Sequence, residues 1–225
     1  MKNWMMASAL AASMAAVPAT AQETDDGPRI VAGVTAGTLG IGPEVGVRLS
    51  DHIGIRGSAT FLGFGADFDS DDITYRGDLK LKSFGAMVDV HPFGGSFRVS
   101  GGARINRNRV DVRATPSDGG TVTVGGEDYT AAQVGVLSGG ADVKKFAPAL
   151  TLGWAGSNRK GFFFGTELGV LFQGQARLRE FRASGTAAND AGFRASLEAE
   201  RRDLQDDIDK VKVYPILQLM IGWRF

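Results

Sequence analysis

The chain has 225 residues, no cysteine, and 25 basic against 25 acidic side chains, with a mean hydropathy of −0.05. The length suggests one domain. The missing cysteines exclude a disulfide, a thiolate metal site and a Cys nucleophile, and the balanced charge removes any bulk electrostatic case for nucleic acid.

Lys2 is followed by an apolar, uncharged stretch from Trp4 to Val17 and then by Ala19-Thr20-Ala21. This is the n-region, h-region and A-x-A site of a secretory signal peptide, expected to span 1–21 with cleavage after Ala21. Beyond Gln22 no apolar run reaches the roughly 17–25 residues that a spanning helix needs. A membrane crossing by residues 22–225 would therefore use strands.

Arg29 to Gly37 reads as a weak first strand with a turn at 38–40, although 30–49 could also form one long strand. Val45, Val47 and Leu49 alternate with Glu44, Gly46 and Arg48. After Ser50-Asp51-His52, Ile53, Ile55, Ala59 and Phe61 alternate with Arg56, Ser58 and Thr60. From Ile73 to Val90, Leu79 and Leu81 oppose Lys80 and Lys82. The apolar parity then shifts to Phe84, Ala86, Val88 and Val90, which suggests a bulge near 83–85. Beyond the turn 91–96, Phe97, Val99, Ala103 and Ile105 alternate with Arg98, Ser100, Arg104 and Asn106. Phe146 to Trp154 and Phe162 to Leu178 alternate across the turn 157–161, with Glu167 and Arg177 on the polar face of the second. In the last strand Val213, Pro215, Leu217, Leu219, Ile221, Trp223 and Phe225 share one face, and Lys212, Tyr214, Gln218 and Arg224 the other.

These are eight strands, each with one apolar and one mixed face, the pattern of a wall between lipid and a polar interior. The fold class is all-β: an eight-stranded antiparallel transmembrane β-barrel, with one short helix in the 179–210 connection. Three connections are short (50–52, 91–96, 157–161) and three are long (65–72, 114–145, 179–210), the asymmetry expected of periplasmic turns and extracellular loops. Thr121–Val124 and Tyr129–Val134 flank Gly125-Gly126 as a hairpin. Ser196 to Lys210 reads as a helix with a narrow stripe of Leu197, Leu204, Ile208 and Val211, placed either over the mouth or in the lumen. A soluble, lipocalin-like barrel would need the opposite polarity, with outward-polar strands.

The register turns eleven charged side chains inward: Glu44, Arg48, Arg56, Lys80, Lys82, Asp89, Arg98, Arg104, Glu167, Arg177 and Arg224. In a barrel of this size the lumen is filled by side chains, so these charges are expected to pair into a closed plug. Their basic excess leaves a narrow, anion-leaning channel as the rival reading. Asp67, Asp69, Asp71 and Asp78 have part of a calcium-loop spacing, but Asp72 stands where glycine belongs, so a solvated loop is expected. His52 and His91 fall in the short turns, away from the long loops, so a His-dependent nucleophilic site lacks its base there. The glycine pairs match no phosphate loop. No cofactor or metal is called for.

Ile221-Gly-Trp-Arg-Phe225, Val88-Asp-Val-His-Pro-Phe-Gly-Gly-Ser-Phe97 with Arg98-Val-Ser-Gly-Gly102, and Ala147-Pro-Ala-Leu-Thr-Leu-Gly-Trp154 resemble the small eight-stranded outer-membrane barrels of the OmpA transmembrane domain and OmpX type. The resemblance covers the mature chain. It implies the outer membrane of a Gram-negative bacterium and contact with its lipid and lipopolysaccharide. It also implies a monomer, and biogenesis through periplasmic chaperones and the barrel-assembly machinery, which would read Trp223 and Phe225. With Phe225 as the last residue, no peptidoglycan-binding domain is expected to follow. The expected role is non-enzymatic, in envelope integrity or surface interaction. A narrow channel and a lipid-modifying enzyme are the alternatives.

Overall fold

The computed structural model describes residues 29–70, 73–156, 160–210 and 212–225. The expected leader and its cleavage after Ala21 lie outside the described residues. The described chain is mostly antiparallel strand. It begins with β1 (Arg29–Gly37), β2 (Gly40–Arg48), β3 (Ile53–Ser70), β4 (Ile73–Val90) and β5 (Phe97–Asn106). It continues through β6 (Arg109–Pro116), β7 (Thr121–Val124), β8 (Glu127–Thr130), helix α1 (Ala131–Val134) and β9 (Leu137–Asp142). There follow β10 (Phe146–Trp154), β11 (Gly161–Leu171), β12 (Arg177–Leu178), β13 (Arg182–Ala183), helix α2 (Ala191–Ile208) and β14 (Tyr214–Arg224).

Eight of these strands pair in the circular order β1-β2-β3-β4-β5-β10-β11-β14, and β14 returns to β1. The ring closes with Val31 opposite Arg224 and Gly37 opposite Gln218. Closure satisfies the backbone groups that two open edges would leave unpaired. Alternation sets the two surfaces. Trp223 is 54% exposed and its neighbour Arg224 4%, because successive side chains point to opposite faces. Along β10, Phe146, Leu150, Leu152 and Trp154 face out while Ala147, Ala149 and Thr151 are buried in the lumen. Five outward positions per strand, such as Phe97 to Ile105, span about 27 Å of strand at 3.4 Å per residue. A tilt of about 40° reduces this to a band about 20 Å tall.

The lower end of the ring holds Arg29, Phe225 and the turns after β2, β4 and β10. At the upper end β1 and β2 meet in the two-residue turn Thr38-Leu39, so 30–49 is a hairpin and not one long strand. Gly40 follows at φ +99, where a Cβ would also sit 2.8 Å from the Phe61 carbonyl oxygen. Leu39 folds back into the lumen beside Met87, Ala147, Ala149, Leu171 and Ile216, forming an apolar layer beneath the upper rim.

Four expectations are corrected in the upper part. β3 and β4 pair without a break from Ile53–Val90 to Ser70–Ile73. No bulge interrupts 83–85, and residues 65–70 are strand, not loop. Lys80 and Lys82 share the outward parity of Phe84, and Leu81 is the buried neighbour. The strand keeps its phase; what changes with height is the kind of residue on its outward face. β11 ends at Leu171, so Arg177 belongs to β12, outside the ring.

Above the rim the sheet continues through β3, β4, β6 and β9. β6 keeps the register of β5 against β4. At the break between them, Arg107 N–H donates to the Lys82 carbonyl (2.8 Å), and Asn108 Oδ1 accepts from Lys82 N–H (2.8 Å). Arg179 donates to Asp111, and that hydrogen bond holds the Asp111 carboxyl below its ordinary range.

The hairpin β7–β8 turns at Gly125-Gly126, both at positive φ. Ala131–Val134 is a helical turn and not a strand, because Thr130 and Gln133 form a reciprocal capping box. Helix α2 starts earlier than its stripe suggested. The Asp190 carboxylate caps the Phe193 N–H at 2.9 Å, and Phe193 and Leu197 are its buried residues, while Leu204 is exposed. They pack with Val124 and Val134 into a second core that lies neither in the lumen nor on the apolar exterior.

Phe193→Ala is expected to destabilise this upper unit by about 3–5 kcal/mol, the cost of emptying a buried aromatic site. Limited proteolysis should then cut within α2 and β7–β8 while the ring stays resistant.

Candidate functional site in the lumen

The site is built from inward positions on five neighbouring or facing strands. Glu44 comes from β2, Arg56 from β3, Asp89 from β4, Arg98 and Arg104 from β5, and Glu167 from β11. All six are buried. A buried charge is stable only when paired and hydrogen-bonded, and here three guanidinium groups stand against three carboxylates.

Arg56 is the hub. Its Nη1 and Nη2 donate to the two oxygens of Glu167 at 2.5 and 2.6 Å, a bidentate fork. Its Nε donates to Asp89 Oδ1 at 2.9 Å, and Nη1 also reaches Glu44 Oε2 at 3.3 Å. Arg98 joins from the next strands, with Nη2 3.2 Å from Glu167 and Nη1 3.9 Å from Asp89. Arg104 has a different environment. It donates to Ser83 (2.8 Å), Ser58 (3.0 Å) and Thr60 (3.4 Å), so neutral hydroxyls hold it above the carboxylates. Gly85 makes room for it, since a Cβ there would lie 2.5 Å from Arg104 Nη1.

The network lies beneath the apolar layer. Tyr214 Oη donates to the Thr38 carbonyl at 2.7 Å, and Gln218 Oε1 accepts from Leu39 N–H at 3.3 Å, fastening the upper turn over the lumen. A cavity of about 10 Å³ adjoins Glu44, Arg56, Arg104 and Glu167. A second, of about 40 Å³, opens toward the lower end beside Arg48, His91, Arg98 and Arg224. A water needs roughly 10–15 Å³, so the first has room for one water at most and the second for a few.

The other singled-out residues lie elsewhere. Arg48 clamps the lower turns, donating to the carbonyls of Ser50 (3.3 Å), Asp51 (2.5 Å) and Gly94 (2.7 Å). Arg224 donates to the Ala155 carbonyl at 2.9 Å, with its guanidinium 5.4 Å from the Phe163 ring centre. Lys80, Lys82 and Arg177 are not in the lumen; all three are exposed on outer surfaces. Trp223 and Phe225 are exposed at the lower end, where Phe225 N–H pairs with the Ile30 carbonyl at 3.0 Å. His52 is exposed in a lower turn. His91 is buried, its Nδ1 3.1 Å from the carbonyls of Gly95 and Phe97. Asp67 is bound by Arg76 at 2.7 Å on the β3–β4 hairpin, and among the described residues no cluster could hold a metal ion. Asp71 and Asp72 lie outside the described residues.

Alternation could place Glu44, Arg56, Asp89, Arg98, Arg104 and Glu167 on inward faces, but it carried no sign of Leu39. That residue looks like an ordinary turn leucine, and its burial depends on the lumen beneath it.

No family model and no curated protein matches the chain. Among solved structures it is similar to Acinetobacter baumannii CarO, with a TM-score of 0.57, 18% identity, and coverage of 87% of this chain and 97% of that one. It is also similar to A. baumannii CarO2, with a TM-score of 0.59, 17% identity, and coverage of 88% and 98%. At this identity the likeness is one of fold.

Arg56→Ala leaves three carboxylates facing one another with their main partner gone. It is expected to cost about 3–5 kcal/mol of ring stability, as for other buried pairs broken on one side. Arg56→Ala combined with Glu167→Gln should recover part of that loss. Urea unfolding of the four members of this double-mutant cycle gives the coupling, and additive losses would show that Arg56 and Glu167 are not coupled.

Proposed function

We propose that the chain is an integral outer-membrane protein, an eight-stranded transmembrane β-barrel with a closed lumen and no enzymatic activity. It serves envelope integrity or surface interaction through its upper unit. The observation that carries this reading is the inversion of polarity: a continuous belt of exposed Val, Ile, Leu, Phe and Trp surrounds a lumen of buried charges. Soluble monomers rarely expose contiguous apolar patches beyond a few hundred Å², whereas a spanning barrel needs such a belt around its whole circumference. Aromatic residues at the lower end, Phe93, Phe97, Trp154, Phe162, Trp223 and Phe225, suit an interfacial girdle. The shared fold with the CarO proteins, which are outer-membrane β-barrels, supports the same compartment.

In this orientation the lower end faces the periplasm and the upper unit faces outward. The short lower turns against the elaborate upper connections support that choice. Biogenesis through periplasmic chaperones and the assembly machinery, with Trp223 and Phe225 as the recognised terminus, belongs to the same reading, as does a monomeric state.

A narrow path for small anions is the second reading, favoured by the basic residues around the lower cavity, Arg48, Arg98 and Arg224. Against it stand the neutral balance of the central network and the apolar layer above. The folded protein is expected in the outer-membrane fraction, to migrate differently in SDS with and without boiling, and to give no reproducible single-channel steps in planar bilayers. Steps abolished by Arg98→Glu or Arg104→Glu would replace the closed reading with the channel. Lipid A mass spectra from cells with and without the protein should be identical, and a difference would restore the enzyme.

A further inference from the structure

The outward face of the upper rim has an unusual charge order. On β4 and β5, Phe84 lies opposite Ile105 in the apolar belt. One row higher, Lys82 lies beside Arg107, whose N–H donates to its carbonyl. Lys80 follows opposite Arg109, and then Asp78 opposite Asp111. Like charges directly across an antiparallel pair destabilise it, yet two cationic rows are stacked here with nothing between them. Asp111 partly answers the upper row, with its Oδ2 3.7 Å from Lys80 Nζ and 3.9 Å from Arg109 Nε, but it is also held by Arg179. Lys82 and Arg107 form no ion pair among the described residues. The Lys82 ammonium instead sits 5.7 Å from the ring centres of both Phe61 and Phe84, which meet edge to face at 5.6 Å.

These four cations line an open groove of about 630 Å³ on the outer wall. Gly63, opposite Lys80, leaves its floor free: a Cβ there would meet nothing within 4 Å. The lower edge of the groove is apolar, formed by Ile41 and Phe61, and continues into the belt. A ligand that fits both parts carries a phosphate above and hydrocarbon below. Guanidinium forks suit phosphate oxygens, and basic clusters beside an apolar surface attract anionic headgroups.

Resting on the outer-membrane reading, we propose that Lys80, Lys82, Arg107 and Arg109 form a specific site for the phosphate groups of the outer leaflet's phosphorylated glycolipid. Its acyl chains lie along Ile41 and Phe61. The headgroup supplies the anions that the two cationic rows lack, so lipid binding offsets a repulsion built into the sheet.

The test is a native mass spectrometry titration of the folded full chain in detergent with hexa-acylated, bisphosphorylated lipid A. Phosphatidylglycerol, dephosphorylated lipid A and inorganic phosphate serve as comparison probes. Bisphosphorylated lipid A should bind about tenfold or more tightly than either comparison lipid, and excess inorganic phosphate should not displace it. Lys82→Gln with Arg107→Gln should lower its affinity about tenfold or more, given about 1 kcal/mol per cation near a lipid surface. Gly63→Phe, which fills the groove without changing charge, should also weaken it. Arg202→Gln on α2 with Lys210→Gln just beyond its end should leave it unchanged. Equal affinity for phosphatidylglycerol, displacement by inorganic phosphate, or full binding by the Lys82/Arg107 variant would overturn the site. Insertion into phosphatidylethanolamine vesicles separates the two readings: a chain that does not insert overturns the membrane assignment and this site together, whereas an inserting chain whose variants bind normally overturns the site alone.

Discussion

Arg56 is the constraint around which the ring of eight strands is arranged. A guanidinium without solvent needs anionic partners in fixed positions, and this one takes them from β2, β4 and β11. Glu167 lies 111 residues away in the chain and reaches Arg56 across the lumen. Glu44 and Asp89 come from the strands beside β3, so the Glu167 fork from across the lumen is what completes the set of carboxylates around one cation. The smallness of an eight-stranded lumen makes this workable, because side chains from opposite walls can touch.

From that centre outward the molecule shows three kinds of surroundings for its side chains. The lumen is a polar interior in which arginine and carboxylate replace water for one another. The outer wall shows the reverse, with leucine and valine where a soluble protein would place lysine. The upper unit returns to ordinary globular rules. Phe193, Leu197, Val124 and Val134 form a small dry core, and charged residues cover the far side of α2. In the proposed membrane orientation a core of this kind belongs above the band, because hydrocarbon cannot drive apolar side chains together as water does.

The rim between these regimes is where the sheet carries most conflict. β3 and β4 pass through it in one unbroken register, so one face changes from apolar to charged side chains within two residues. Phe84 ends the first regime and Lys82 begins the second. The stacked like-charge rows would be eased by a neighbouring source of anions beyond Asp111. The proposed headgroup site therefore follows from where the medium changes along a continuous strand.

Much of this was legible in the order of residues. Strict alternation in 146–154 and 213–225 located strands and told lumen from exterior, because a period of two admits only two faces. It also named Glu44, Arg56, Asp89, Arg98, Arg104 and Glu167 as inward. Where the pattern misled, alternation was read as if burial alone set polarity. Lys80 and Lys82 looked like lumen residues ahead of a bulge, although the strand never changes phase. The sequence by itself determined the faces of the strands and the presence of buried charge, since these depend on neighbours one and two positions away. Which charges meet, that Leu39 lids the lumen, that Arg177 stands outside it, and that α2 packs on a second core were decided by the tertiary structure. Each depends on the distance between residues far apart in the chain, and closing the ring sets that distance.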